Sequence, residues 1–394
     1  MNIVIAIDSF KGSISSKTAG QAAAEGIRRV YPEAQIFVRP LADGGEGTVE
    51  ALIQGLGGSL ETIRVTGPLG EPVDCCYGIL GKQTMVEQKT AVIEMAGAAG
   101  LPLIVAEKRD PLRTTTYGVG QVIKDAVEKG CRRFIVGIGG SATNDGGVGM
   151  LQALGFSFLD REGKQVSFGA GALSDICRIS TEKVMPELAE CTFRVACDVT
   201  NPLCGEQGAS VVYGPQKGAS QEMVEQMDRG LRHLAEISQS FSGADPDYPG
   251  TGAAGGLGFG FLTFLNSTLE SGVKIILEET GLEAYIREAD FVVTGEGRLD
   301  GQTVQGKAPV GVAGLAKAPV GVAGLAKAHG KRVFAFSGAV TPEARLCNEA
   351  GINAFFPILR SVVGLDEAMQ EETAVKNMAD TAEQVFRVVK AMQK

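Results

Sequence analysis

The stretch RFIVGIGGSATNDGGVGMLQALG, residues 133–155, decides the architecture. Its apolar, β-branched run FIVGI reads as a buried strand. The chain then passes through a loop of small residues carrying Ser141, Thr143, Asn144 and Asp145 and continues as an amphipathic helix. Strand, glycine loop and helix in that order gather backbone N–H groups and a helix N-terminus around one open space, an arrangement suited to phosphate. Asp145 would repel a bare phosphate, so its place in such a loop makes sense with a divalent cation in between. A tight glycine turn joining strand to helix is the bland alternative.

Four further strands end the same way. NIVIAID closes on Asp8 and runs into SFKGS with Lys11, and QIFVRPLAD closes on Asp43 and opens into GGEGT. FRVACDV carries Asp198 near its end, while DFVVTGEGRLDGQT delivers Glu296, Arg298 and Asp300. In open α/β sheets ligands bind outside the carboxyl ends of the strands. Five acidic, glycine-rich strand ends therefore point to a metal-phosphate site.

Composition narrows the class. A chain of 394 residues with 44% hydrophobic and 21% charged residues is long enough for two domains and has ample material for a core. Its 54 glycines are about twice the usual ~7%, an excess that belongs in loops and close backbone approaches. The net charge of −9 argues against nucleic acid as a partner, since backbone binding needs a basic face. No apolar stretch reaches membrane-spanning length, and the N-terminus does not read as a signal peptide. The eight cysteines show no CxxC and read as reduced thiols of a cytoplasmic protein. With two histidines, His233 and His329, neither a His-centred zinc site nor Ser-His-Asp catalysis finds its parts. A homo-oligomer stays open.

Residues 1–58 alternate strand and helix, with Ser15 or Ser16 as a helix cap; this βαβα rhythm implies a parallel sheet. Near residue 60 the pattern changes to strands joined by Gly-Pro turns, and near residue 290 strand–helix alternation returns. We therefore expect two α/β domains: a discontinuous parallel-sheet domain of residues 1–75 and 285–394, and an inserted mixed-sheet domain, 76–284, carrying GGSATNDGG. The stretch TGAAGGLGFGFLTFL is too rich in glycine to start an ordinary helix unless its backbone closely approaches something. KAPVGVAGLA occurs at 307–316 and again at 317–326. A ten-residue step turns a helix by about 1000°, leaving the copies roughly 80° apart, and Pro319 would interrupt any helix begun at Pro309. One copy is expected to be dispensable.

The motifs DSFKGS (8–13), ADGGEGT (42–48), TTTYGVGQ (114–121), GGSATNDGG (139–147), CDVTNPLCG (197–205), GPQKGA (214–219), GAAGGLG (252–258) and TGEGRLDGQT (294–303) together resemble the type-1 family of bacterial glycerate kinases, through nearly the whole chain. The doubled KAPVGVAGLA departs from the single copy of that family. The resemblance implies ATP-dependent phosphorylation of D-glycerate with Mg²⁺, on a flavodoxin-like domain with a second α/β domain inserted and the site in the cleft between them. The 2-phosphoglycerate product is favoured over 3-phosphoglycerate. Phosphoryl transfer needs positioning and charge neutralisation, and neither a GxxxxGK[ST] loop nor the protein-kinase signatures occur. On this reading Gly139, Gly140, Ser141, Thr143, Asn144 and Asp145 take the ATP phosphates. Lys11 stabilises transition-state charge and Asp43 or Asp198 is the base. Asp8, Glu296, Arg64 and Arg298 serve the substrate, the arginines as forks for its carboxylate. Asp145, Asp198 and Asp300 are the candidate metal ligands. Each has a bland counterpart: a solvated loop lysine, an Asx turn at Asp43, a surface ion pair at Arg298. A nicotinamide-dependent oxidoreductase would need GxGxxG, whose spacing GIGGSATNDGG lacks. A metabolite sensor would need an output element, and none is legible.

Overall fold

The computed structural model describes every residue except 43, 44, 46, 82–87, 242, 305–317 and 394, and leaves the side chains of Gln302 and Val304 aside. Asp43 and the first copy of KAPVGVAGLA thus lie outside the described residues. Thirteen strands are seen among the described residues: β1 (Asn2–Ile7), β2 (Gln35–Val38), β3 (Gly58–Thr66), β4 (Pro72–Leu80), β5 (Lys89–Glu94), β6 (Cys131–Gly137), β7 (Ser157–Leu159), β8 (Arg178–Ser180), β9 (Thr192–Ala196), β10 (Ser267–Glu270), β11 (Phe291–Leu299), β12 (Arg332–Val340) and β13 (Ala354–Pro357). They divide between two compact units, one of Met1–Asp43, Glu50–Leu56 and Val273–Lys394, the other of Gly44–Val49 and Gly57–Gly272.

The first unit holds a five-stranded sheet in the order β13-β12-β11-β1-β2, parallel at every pairing. Renumbered within the unit, this is the 2-1-3-4-5 order of the flavodoxin-like fold. From Ile3 to Ile7, β1 is buried without a break, as a parallel strand covered on both faces must be. Ile3, Ile5 and Ile7 pack with Ala19, Ala23 and Ile27 of the helix Ser16–Arg28 and with Met378, Val385 and Phe386 of the helix Glu371–Met392. Ser15 caps the former, its side chain accepting the Thr18 N–H at 3.1 Å. At Gly26 the two helices meet so closely that a Cβ would lie 2.0 Å from the Ala379 carbonyl oxygen. The second copy of the repeat forms the helix Ala318–Ala328, with Val322, Ala323 and Ala326 buried. Pro319 lies in the first described turn of this helix, where its fixed φ suits a helix start.

The second unit holds a six-stranded sheet in the order β10-β9-β6-β5-β4-β3. Strands β3, β4 and β5 pair antiparallel, while β5, β6, β9 and β10 run parallel; β7 and β8 form a separate two-stranded antiparallel sheet. Its core includes Tyr77, Ile93, Phe134, Val136, Met150, Leu151, Phe193, Leu231, Leu257 and Phe261. The architecture is the expected one, a flavodoxin-like parallel-sheet domain with a mixed-sheet α/β domain inserted, but its boundaries shift. β3 pairs with β4 over nine residues, from Gly58↔Leu80 to Thr66↔Pro72, and a hairpin so knit cannot be cut after residue 75. Residues 57–75 therefore belong to the inserted unit, and the return to the first comes at Val273 in place of 285. Among the described residues no helix is long and apolar enough to cross a membrane.

Candidate active site

In the first unit, the order 2-1-3-4-5 places its switch point between β1 and β11, and the ligand crevice of such sheets opens at the carboxyl ends there. Asp8 follows β1. It is buried, its backbone N–H donates to the Gly295 carbonyl at 2.9 Å, and its carboxylate accepts the Ser9 N–H at 2.6 Å. The loop then turns back on itself through a bridge between Phe10 and Ile14, with Phe10 buried and Lys11 exposed. Gly297 packs against this loop, where a Cβ would stand 3.4 Å from the Phe10 Cα.

The β11 side supplies the rest. The strand runs through Leu299, so Glu296 and Arg298 are strand residues where a loop had been expected. Glu296 is 8% exposed and accepts the Thr303 hydroxyl proton at 2.8 Å. Thr303 in turn accepts the Asp300 N–H (3.1 Å), while the Asp300 carboxylate accepts the Thr303 N–H (3.3 Å). This reciprocal cap fixes both carboxylates against each other. Arg298 reaches Asp300 at 3.4 Å with its side chain 66% exposed. Asp8, Lys11, Glu296, Arg298 and Asp300 are thus brought to one end of one sheet.

The second unit makes a different use of its predicted residues. Only Gly139 and Gly140 of the loop 139–147 are exposed; Ser141 through Gly147 are buried. Next to Gly139 lies Gly45, whose Cα would be 3.7 Å from a Cβ added there. Asp145 is 1% exposed, and its carboxylate accepts the Thr116 N–H (2.8 Å), the Thr116 hydroxyl (2.9 Å), the Gly147 N–H (3.2 Å) and the Gly149 N–H (3.3 Å). Burial pushes its pKa up and those donors pull against the rise. With four donors already on two oxygens, Asp145 anchors the loop and the helix Val148–Ala153, and the metal and phosphate roles expected of it do not fit this packing. Asn144 donates to the Ser210 hydroxyl at 2.9 Å, also inward. The run 254–256 is left-handed throughout, including Ala254 at φ 53°. Gly255 presses on the loop so closely that a Cβ would fall 2.0 Å from the Thr143 carbonyl oxygen. The close approach anticipated for GAAGGLG is therefore to the back of the 139–147 loop.

Asp198 follows β9, is exposed, and accepts the Gly272 N–H at 3.1 Å. Arg64 is not gathered with the loop in any comparable way: it is exposed on β3, at the edge of the sheet, opposite Asp74. Two residues escaped the sequence reading. Glu94 ends β5 and accepts the Val49 N–H at 2.8 Å; the acidic end of the run KTAVIE was its signal. Lys217 is buried beside Ser141 and Thr143; a lysine inside the glycine-rich GPQKGA was the only hint. No group of three or more His, Cys, Asp or Glu side chains able to hold a metal occurs among the described residues. Asp198 follows β9 and Asp300 follows β11, so each stands just beyond a strand end; Mg²⁺ takes one or two carboxylates and completes its shell with phosphates and water.

Comparison with known proteins shows the family. The glycerate kinase family model matches residues 3–390. The chain is 47% identical over 371 residues to glycerate 2-kinase of Escherichia coli K12, covering 94% of this chain and 93% of that one. It is 44% identical to a glycerate kinase of Haemophilus influenzae over 99% of both. A crystal structure assigned to glycerate kinase 2 of Salmonella typhimurium LT2 superposes with a TM-score of 0.89 at 40% identity, covering 100% of this chain and 99% of that one. A flavodoxin-like sheet with its charges at the switch point, an inserted domain with a buried glycine loop, and likeness along the full length have one reading: the chain belongs to the glycerate kinase family.

Proposed function

We propose that the chain transfers the γ-phosphoryl group of ATP to the 2-hydroxyl of D-glycerate in the cytoplasm, giving 2-phosphoglycerate and ADP. The observation that carries this reading is the switch-point corner, where an exposed lysine and arginine stand among three carboxylates. The name of the Escherichia coli relative supports the 2-hydroxyl as acceptor. In the proposed step a carboxylate base, Asp43 or Asp198, takes the hydroxyl proton. The glycerate oxygen bonds to the γ-phosphorus, the bond to the β–γ bridging oxygen breaks, and ADP leaves with that electron pair. Lys11 neutralises charge on the transferring group, the largest service an enzyme gives this reaction. Arg298 takes the substrate carboxylate as a planar fork, a role that the edge position of Arg64 leaves unsupported. Asp8 and Glu296 hold the loop after β1 and the 300–303 turn in place. The amides of Gly139 and Gly140 meet nucleotide phosphates. Mg²⁺, when bound by Asp198 or Asp300 with the phosphates, supplies neutralisation of their charge.

Substitution tests this placement. Lys11→Met and Asp198→Asn are each expected to lower kcat by about 10²-fold, the scale of a lost acid–base or charge-stabilising group. Unfolding midpoints should stay near wild type, since Lys11 is exposed and Asn can still accept the Gly272 N–H. Near-normal turnover in both variants would contradict the assignment of these residues.

A further inference from the structure

A buried cation without a carboxylate partner lies against the loop whose tip is Gly139 and Gly140. Lys217 enters from the turn Pro215–Lys217, is 2% exposed, and donates from Nζ to the Ser141 hydroxyl oxygen at 2.8 Å and the Thr143 carbonyl at 2.6 Å. Both acceptors are neutral, and among the described residues no third partner takes its remaining N–H. Removing an ammonium from water without an ion pair is costly, and burial pulls its pKa down to about 7, opposed only by the nearby charge of Asp145. The same loop buries the Thr143 hydroxyl and the Asn144 side-chain oxygen Oδ1 without partners. The turn itself does not need the ammonium. It is closed by backbone bonds from Lys217 to Gly214 (3.0 Å), Gly218 to Pro215 (3.1 Å) and Ala219 to Gly214 (3.1 Å), with left-handed Gly218 packed on Arg109.

A buried charge left unpaired by its own protein is the pattern of a site completed by an anion. We infer that Lys217 is a positioning residue for nucleotide binding: its ammonium holds Ser141 and Thr143 so that the Gly139–Gly140 amides face the phosphates, and it supplies from beneath the loop the positive charge those phosphates answer. The inference rests on the reading of Gly139 and Gly140 as the phosphate-contacting tip. The charged groups around Lys217 are Asp145 on the loop side and Arg109 on the segment packed against Gly218.

Lys217→Met keeps the volume and removes the charge. Initial rates with MgATP at saturating Mg²⁺ should show KM for ATP raised about tenfold or more, with kcat and the KM for glycerate within about threefold of wild type. The wild-type affinity for MgATP should fall as pH rises from 6 to 9, because the protonated lysine favours the anion and its proton is lost through that range. In Lys217→Met this pH dependence should vanish. A folded variant with wild-type ATP affinity overturns the inference. If the variant does not fold, a flat wild-type profile of MgATP affinity over that range overturns it alone. Gly139→Asp, which adds a carboxylate at the loop tip with its Cβ in ordinary contact with Gly45, separates the two layers. If it weakens ATP binding while Lys217→Met does not, the role of Lys217 falls and the loop assignment stands. If neither variant weakens ATP binding, the loop assignment falls and the inference with it.

Discussion

Asp145 shows how far a single residue can be read without its surroundings. An acid in a glycine-rich loop is visible in the sequence, and cation ligation is the economical explanation for it. What the sequence hides is Thr116, 29 positions away, which gives the carboxylate both its backbone N–H and its hydroxyl. Lys217 was hidden for the same reason, because burial is a property of the packed chain. Asp145→Asn places an amide where four donors converge, so at least one donor loses its acceptor inside the core. A loss of about 1–3 kcal/mol is expected, read from urea denaturation, on the scale of a buried donor left unsatisfied. The Mg²⁺ concentration giving half-maximal rate should be unchanged in the folded fraction. A stable variant with weakened Mg²⁺ dependence would restore the metal role to Asp145.

At the scale of elements, local chemistry carried well where a signal is local. The Ser15 cap and the apolar runs of β1, β6 and β11 follow directly from residue type and spacing. The sheet of the β3–β4 hairpin is not legible from its own residues, because alternation tells that strands exist but not which sheet they join. In GAAGGLG the glycines announced a close approach, and only the folded chain names its object. Gly255→Ala combines a φ of 68° with a Cβ 2.0 Å from the Thr143 carbonyl oxygen. It should therefore lower the unfolding midpoint markedly and raise KM for ATP, whereas a variant matching wild type in both would mean that the two segments do not pack as described. For the repeat, removing either copy of KAPVGVAGLA yields the same sequence. The helix Ala318–Ala328 needs one copy, and the residues after it are unaltered by the deletion. The shortened protein is expected to keep kcat/KM and its melting temperature within about twofold and a few degrees, as checked by steady-state kinetics and calorimetry. Loss of folding on deletion would assign the second copy a structural task.

For the whole molecule, the alternation of strand and helix at both ends of the chain, broken by a meander in the middle, already implied a discontinuous parallel-sheet domain. The order β13-β12-β11-β1-β2 gives that implication its functional content, since it puts Asp8 and Lys11 beside Glu296, Arg298 and Asp300 at the one place where such a sheet opens to ligand. Strand order is a non-local property, and the five residues could be named from sequence without it but not assembled. The central claim is that this assembly phosphorylates the 2-hydroxyl of D-glycerate from ATP. The most direct measurement is phosphorus nuclear magnetic resonance of the product formed by the purified protein from D-glycerate, ATP and Mg²⁺, against authentic 2- and 3-phosphoglycerate. The account predicts 2-phosphoglycerate, formed in step with ADP and abolished when glycerate or Mg²⁺ is left out. Formation of 3-phosphoglycerate would contradict the proposed acceptor, and ADP release without any phosphoglycerate would contradict the reaction itself.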